Sequence, residues 1–175
     1  MSGINYDLRK IKAFAFDVDG VLSPSTIPVS PTGDPMRMAN IKDGYALQLA
    51  VKKGLKIAVI TGGSSLAVVN RMHLLGINDI WENASDKLPV LEDWMALHNL
   101  KEKEVAYMGD DIPDLRCLRK VGLPCCPFDA AWEVQQESIF ISSHTGGYGA
   151  VRDLLEQILR AQHHWSTASL NNIVW

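Results

Sequence analysis

Residues 14–23 read FAFDVDGVLS: three apolar residues run straight into Asp17 and Asp19, one residue apart, and then into Gly20 and the apolar pair Val21 and Leu22. Two like charges about 4 Å apart repel by roughly 4 kcal/mol at an effective dielectric near 20, so this strand end calls for a counter-charge. The run that leads into it, IKAFAF (11–16), is the first of a series. LKIAVI (55–60) and KEVAYM (103–108) follow, with weaker runs in NDIWEN (78–83), VGLPCC (121–126) and SIFIS (138–142). Short continuous apolar runs are the pattern of strands buried on both faces.

Helical patterns lie between them. DGYALQLAVKKG (43–54) ends in Gly54, and SSLAVVNRMHLLG (64–76) has Ser64 or Ser65 as a cap and Gly76 as a stop. SDKLPVLEDWMALHN (85–99) and DDIPDLRCLRKVG (110–122) follow, and GGYGAVRDLLEQILRAQHHW (146–165) is amphipathic. This alternation predicts an α/β fold, a doubly wound Rossmann-like parallel sheet. Residues 23–40, SPSTIPVSPTGDPMRMAN, break the rhythm: four prolines exclude a helix, and PTGD is a turn signal, so a projecting β-hairpin is predicted.

With 175 residues and 47% hydrophobic content, the chain is expected to form one domain over residues 1–165, followed by a tail over 166–175. A formal charge of −3 offers no basic patch and argues against a nucleic-acid partner. Cys117, Cys125 and Cys126 form neither a CxxC pair nor a metal-ligand spacing, and are expected as buried reduced thiols. The N-terminal stretch lacks a long apolar core and no run approaches a membrane span, so a soluble, cytoplasmic protein without a membrane partner is expected. Trp81, Trp94 and Trp132 are expected as core or interface packing.

In open α/β sheets ligands collect beyond the carboxyl ends of the strands. The three strongest runs each end in a polar signature: Asp17 and Asp19; Thr61 with Gly62 and Gly63; and Asp110, Asp111 and Asp114. Lys87, at the start of a helix, can reach the same rim. Clustered carboxylates with all-oxygen donors suit Mg²⁺, while Thr61 and the Gly62 and Gly63 amides suit an anion. Carboxylate, hard cation, hydroxyl and lysine together describe a phosphoryl-transfer site. A receiver domain of the response-regulator type also joins acids, Thr and Lys, but its acidic pair is adjacent and its phosphoacceptor stands on a later strand.

DVDGV, ITG with Thr61, Lys87 and GDDIPD, in that order over residues 14–114, resemble the four motifs of the haloacid dehalogenase superfamily of phosphohydrolases. The resemblance implies that Asp17 attacks phosphorus and forms an aspartyl-phosphate, while Asp19 protonates the leaving oxygen and then activates water. It further implies that Asp17, the Asp19 carbonyl and Asp110 bind Mg²⁺, that Thr61 and Lys87 hold the transferring oxygens, and that Asp111 and Asp114 orient Lys87 or metal-bound waters.

Thr61 comes only 44 positions after Asp17, and Lys87 only 26 after Thr61, so no cap domain is expected. ANIKDGYALQLA, GINDIWENASDK, VAYMGDDIPDL and GGYGAVRDLLEQILRAQ resemble the capless 3-deoxy-D-manno-octulosonate 8-phosphate (KDO 8-phosphate) phosphatases. That resemblance implies a sugar-acid phosphate substrate, a role in lipopolysaccharide precursor synthesis, and a homotetramer in which a neighbouring subunit completes the site. It also implies substrate contacts at Asn40, Lys42, Asp43, Gly62 and Arg71. One departure bears on the substrate. Many members of that group carry Arg after the TG pair, where this chain has Gly63, which cannot bind a carboxylate bidentately. Phosphatases of nonulosonate (sialic acid or KDN) 9-phosphates share the scaffold and stay open as an alternative, as does a non-catalytic phosphate-binding oligomer.

Overall fold

The computed structural model describes residues 4–165. The tail at 166–175 lies outside the described residues. Six strands, β1 (Ala13–Phe16), β2 (Lys56–Ile60), β3 (Asp79–Trp81), β4 (Val105–Met108), β5 (Leu123–Cys126) and β6 (Phe140–Ile141), form one sheet in the order β3-β2-β1-β4-β5-β6. Every pairing is parallel. The chain runs outward from β1 to β3 and then returns to the other side of β1 with β4. The switch point therefore lies between β1 and β4, at the carboxyl ends that bear Asp17 and Asp110.

Strand periodicity decides the layers. Phe14 and Phe16 point to one face, where they pack with Leu47, Met72, Leu154, Leu155 and Ile158. These partners come from α1 (Ile41–Lys52), α2 (Leu66–Leu74) and α6 (Ala150–Ala161). Ala13 and Ala15 point to the other face, with Leu91, Trp94, Cys117, Leu118 and Val134 of α3 (Lys87–Leu97), α4 (Leu115–Lys120) and α5 (Trp132–Glu137). Each fully buried large side chain contributes about 1.5–3 kcal/mol of transfer free energy, so Phe14 and Phe16 together anchor β1 firmly under its charged end.

Local signals set the helix starts. The Asn40 side chain caps α1 by accepting from the amides of Lys42 (2.8 Å) and Asp43 (3.3 Å), and Ser65 caps α2. Asp86 caps α3, which places Lys87 at its first residue. On α6 the buried residues recur at 150, 151, 154, 155, 158 and 159, one apolar stripe laid against α1. The short α5 has no counterpart in the sequence reading, because WEVQQE carries a single buried residue, Val134. Of the tryptophans, Trp94 is a core residue whose Nε1 donates to Asp79, Trp81 is partly buried, and Trp132 is 69% exposed and not core. The three cysteines are free and buried.

The hairpin is smaller than the sequence suggests. One antiparallel bridge, Val29 to Pro35, closes the turn, with Ser30 N donating to Asp34 O and Met36 N to Pro28 O. Pro28, Pro31 and Pro35 offer no N–H, so a longer ladder cannot form. No cap domain stands in the chain between Asp17 and Lys87, which contains this hairpin, α1, β2, α2 and β3. Among the described residues, no helix is long and apolar enough to cross a membrane.

Candidate active site

Asp17, Asp19, Thr61, Gly62, Gly63, Lys87, Asp110, Asp111 and Asp114 line one open cleft at the carboxyl end of the sheet. The cleft forms because parallel register brings β1, β2 and β4 to a common rim: Phe16 lies opposite both Val59 and Met108.

At its floor, Lys87 Nζ lies 3.0 Å from Asp17 Oδ2 and 2.8 Å from Asp114 Oδ1, and all three residues are buried. Asp114 is also held by the Tyr107 hydroxyl (2.6 Å) and the amides of Asp110 (3.1 Å) and Asp111 (3.4 Å). It thus aims Lys87 at Asp17. Asp111 is exposed and does not touch Lys87. Sequence reasoning missed Tyr107, although a lone hydroxyl in a strand buried on both faces needs a partner.

Burial, then the Asp114 charge, pushes the Asp17 carboxyl up to about 6 against the opposing pull of Lys87. Burial, then the charges of Asp17, Asp114 and Asp111, pushes Asp110 up to about 7. Burial opposes the Lys87 ammonium, but the Asp17 and Asp114 charges outweigh it and raise its pKa. The cluster therefore holds more negative charge than Lys87 neutralises.

Oxygens of Asp17, Asp110 and Asp114 all lie within 4.8 Å of one another. Asp114 spends its oxygens on Lys87, Tyr107 and two amides, whereas the Asp110 carboxylate has no such partner among the described residues. Hard oxygen donors, excess negative charge and a free carboxylate fit a small divalent cation. Room for Asp110 comes from Gly20, at φ +84°: a Cβ there would stand 1.9 Å from Asp110 Oδ2. Gly20 N in turn donates to Ser23 O, closing the turn after Asp19.

Thr61 is buried at the end of β2, and its Oγ1 accepts from Gly63 N at 3.2 Å. Gly62 is exposed at the mouth. The Asp19 side chain lines the same cleft but is not part of the close carboxylate group. Its two oxygens receive Arg37 Nε and Nη2, each at 2.7 Å, in a bidentate pair. Arg37 was not singled out in the sequence. The available signal was charge: within 23–40 it is the sole cation. Its guanidinium fills the space beside Gly63, so the place that lacks an arginine side chain of its own is occupied by one from the hairpin.

Asn40, Lys42, Asp43 and Arg71 do not line the cleft. Asn40 caps α1 and donates to Gly147 O; Asp43 is buried and accepts from Arg152 N at 2.8 Å. Burial raises the Asp43 carboxyl to about 6, with Arg152 opposing, and its Oδ2 lacks a hydrogen-bond partner. Arg37, Asn40, Asp43 and Arg71 instead line an adjoining hollow of about 210 Å³ between the hairpin, α1 and α2. Arg71 lies over Gly44, where a Cβ would meet its Nη2 at 2.6 Å. Lys42 is exposed on the outer side of α1.

No protein-family model matches the chain. The KdsC 3-deoxy-D-manno-octulosonate 8-phosphate phosphatase of Escherichia coli K12 is 33% identical over 154 residues, 88% of this chain and 82% of the relative. The Moraxella catarrhalis 3-deoxy-D-manno-octulosonate 8-phosphate phosphatase, in complex with magnesium, phosphate and KDO, superimposes with a TM-score of 0.86 at 36% identity, covering 90% of each chain. A haloacid dehalogenase superfamily (subfamily III A) hydrolase from Legionella pneumophila gives 0.86 at 34% identity, covering 90% of this chain and 86% of its own.

Sheet order, the missing cap and the aspartate-threonine-lysine rim define a capless phosphohydrolase of the haloacid dehalogenase class, a phosphoric monoester hydrolase. Within that class, the chain belongs to the 3-deoxy-D-manno-octulosonate 8-phosphate phosphatase family.

Proposed function

We propose that this chain hydrolyses KDO 8-phosphate to KDO and inorganic phosphate, a step in lipopolysaccharide precursor synthesis. The observation that carries the reading is the buried Asp17–Lys87–Asp114 chain of contacts beside the free Asp110 carboxylate. This arrangement supplies a fixed nucleophile, a cation and a metal ligand within one cleft.

Asp17, the Asp19 carbonyl and Asp110 would hold Mg²⁺, which supplies charge neutralisation at the phosphoryl oxygens when bound. Asp17 attacks phosphorus and forms an aspartyl-phosphate as the phosphorus bond to the sugar oxygen breaks. Asp19 delivers a proton to that oxygen, then takes one from the water that attacks phosphorus and releases phosphate and free Asp17. Thr61, the Gly62 amide and Lys87 hold the transferring oxygens, with Asp114 positioning Lys87 and Asp111 at the outer rim. The sugar-acid portion would extend to the Arg37 hollow, walled by Asn40 and Asp43, faced by Arg71 and flanked by Lys42.

Residues 1–165 would act as one catalytic domain, in a cytoplasmic homotetramer whose neighbouring subunit covers the open cleft. Light scattering on the purified chain measures the assembly. Phosphate release from KDO 8-phosphate and from a nonulosonate 9-phosphate, with Mg²⁺ or with EDTA, tests the activity. Mg²⁺-dependent release favouring the octulosonate is expected; preference for the nonulosonate would reassign the substrate. Binding without release by the wild type would support a non-catalytic phosphate-binding oligomer.

A further inference from the structure

Arg37 combines three features that its place in the chain does not require. Its neighbours Met36 and Met38 are about half exposed, yet its own side chain is only 6% exposed. It reaches inward to grip Asp19, which remains 39% exposed to the cleft. A third bond runs from Nη1 to Ser64 O at 3.1 Å. Of the five guanidinium N–H groups, three are spent in this way and two stay available.

The approach depends on Gly63. A Cβ there would stand 2.4 Å from Arg37 Nη2, 3.3 Å from its Cζ and 3.5 Å from Asp19 Oδ2. The backbone at Gly63 is not left-handed, so conformation does not demand glycine at that position; the guanidinium beside it does. Arg37 thus stands between two spaces. On one side is the phosphate cleft with Asp19; on the other is the hollow that Arg71 also lines. Met38 N donates to Ser23 Oγ at 3.1 Å, which ties the arginine-bearing segment after the hairpin's bridge to the turn that follows Asp19.

Resting on the reading of the chain as a phosphatase of a sugar acid, we propose that Arg37 is a specificity-determining residue: it exchanges its bidentate bond to Asp19 for one to the substrate's carboxylate. A planar guanidinium accepts either carboxylate in the same fork geometry, so the exchange keeps the number of charge-assisted hydrogen bonds. It also releases the Asp19 side chain toward the leaving oxygen. A phosphomonoester without a carboxylate offers Arg37 nothing to exchange, and Asp19 stays pinned. The acid group of the substrate therefore acts on turnover as well as on binding, in the manner of binding energy drawn from a non-reacting part of a substrate.

The test compares kcat/KM for KDO 8-phosphate with kcat/KM for glucose 6-phosphate, which has no carboxylate, in the full wild-type chain, Arg37→Ala, Arg37→Lys and Gly63→Ala, all with Mg²⁺. The ratio of the two constants cancels the fraction of correctly folded enzyme, so a variant that folds poorly still reports. Loss of the charge-assisted pair is expected to lower the ratio about 30-fold in Arg37→Ala, with a smaller loss in Arg37→Lys. Gly63→Ala, which crowds Nη2, is expected to shift the ratio in the same direction. Ratios within threefold of wild type in all three variants would overturn the role of Arg37 while leaving the phosphatase reading intact. Absence of wild-type turnover on any sugar-acid phosphate would overturn that reading and the exchange with it.

Discussion

Asp17→Asn sets activity against stability, and the structure gives the sign of each. In the metal-free protein the Asp17 carboxyl is raised from 3.8 to about 6, mainly by burial and then by the Asp114 charge. Two units correspond to about 3 kcal/mol of penalty on the ionised form. The sign follows from proton counting. Between pH 4 and pH 6 the folded chain holds a proton that the unfolded chain has released, so stability falls as pH rises through this window and the full penalty stands above about pH 7. The amide escapes the penalty. It keeps one acceptor for either Val18 N or Lys87 Nζ, which now lie 2.7 Å and 3.0 Å from the two carboxylate oxygens, and it leaves one donor facing a donor. That mismatch costs about 1–2 kcal/mol. The net at pH 8 is a gain of about 1–2 kcal/mol, or roughly 2–8 °C in Tm for a domain of this size. At pH 5 wild-type Asp17 is already protonated, so the gain vanishes or reverses. Thermal melts of EDTA-treated wild type and variant at pH 5 and pH 8, with phosphate release in parallel, check this. Turnover of KDO 8-phosphate is expected to drop at least about 1,000-fold, because the variant lacks its attacking carboxylate. A variant that melts below wild type at pH 8, or whose Tm difference ignores pH, would refute the electrostatic account; wild-type turnover would refute the mechanism.

Further outcomes follow from the same cluster. Mg²⁺ affinity, measured by titration calorimetry, is expected to weaken as pH falls from 8 to 6, because protons compete for Asp110 and Asp17, raised to about 7 and about 6. Lys87→Met removes the ammonium that neutralises two buried carboxylates and is expected to cost about 3–5 kcal/mol, roughly 6–20 °C in Tm, with partial recovery when Mg²⁺ is added. Gly20→Ala drives a Cβ to within 1.9 Å of Asp110 Oδ2 on a left-handed backbone, and is expected to abolish calorimetric Mg²⁺ binding and to lower Tm.

The hairpin shows where sequence reading stops. Prolines and PTGD at residues 31–34 located the turn, and the structure places it there, but pairing shrinks to the Val29–Pro35 bridge. What the segment contributes to the carboxylates is the Arg37 side chain, paired with Asp19. Charge in the local pattern MRM marks Arg37 as the residue to meet an acid, but the segment is in neither helix nor strand, so no periodicity says that the acid is Asp19. Asn40 and Asp43 teach the converse. Their resemblance-based assignment to substrate contacts competes with capping of α1 and with the tie from α1 to the start of α6, uses that a sequence does not separate from binding.

By itself the sequence determined the sheet. Six apolar runs, the alternation of Phe14 and Phe16 with Ala13 and Ala15, and caps at Ser65 and Asp86 are local, and local chemistry suffices to make them strands and helices. It also carried the rim, because any residue that ends a parallel strand must lie at the same end of the sheet as its neighbours. Thus Asp17, Thr61 and Asp110 were legible together. Tertiary structure decided the rest: Tyr107 and Asp114 aiming Lys87, Gly20 admitting Asp110, and Arg37 gripping Asp19 in a bidentate pair. Each of these joins side chains by distance and burial rather than by spacing along the chain, and the electrostatic energy at stake depends on that distance and on how much water the fold excludes.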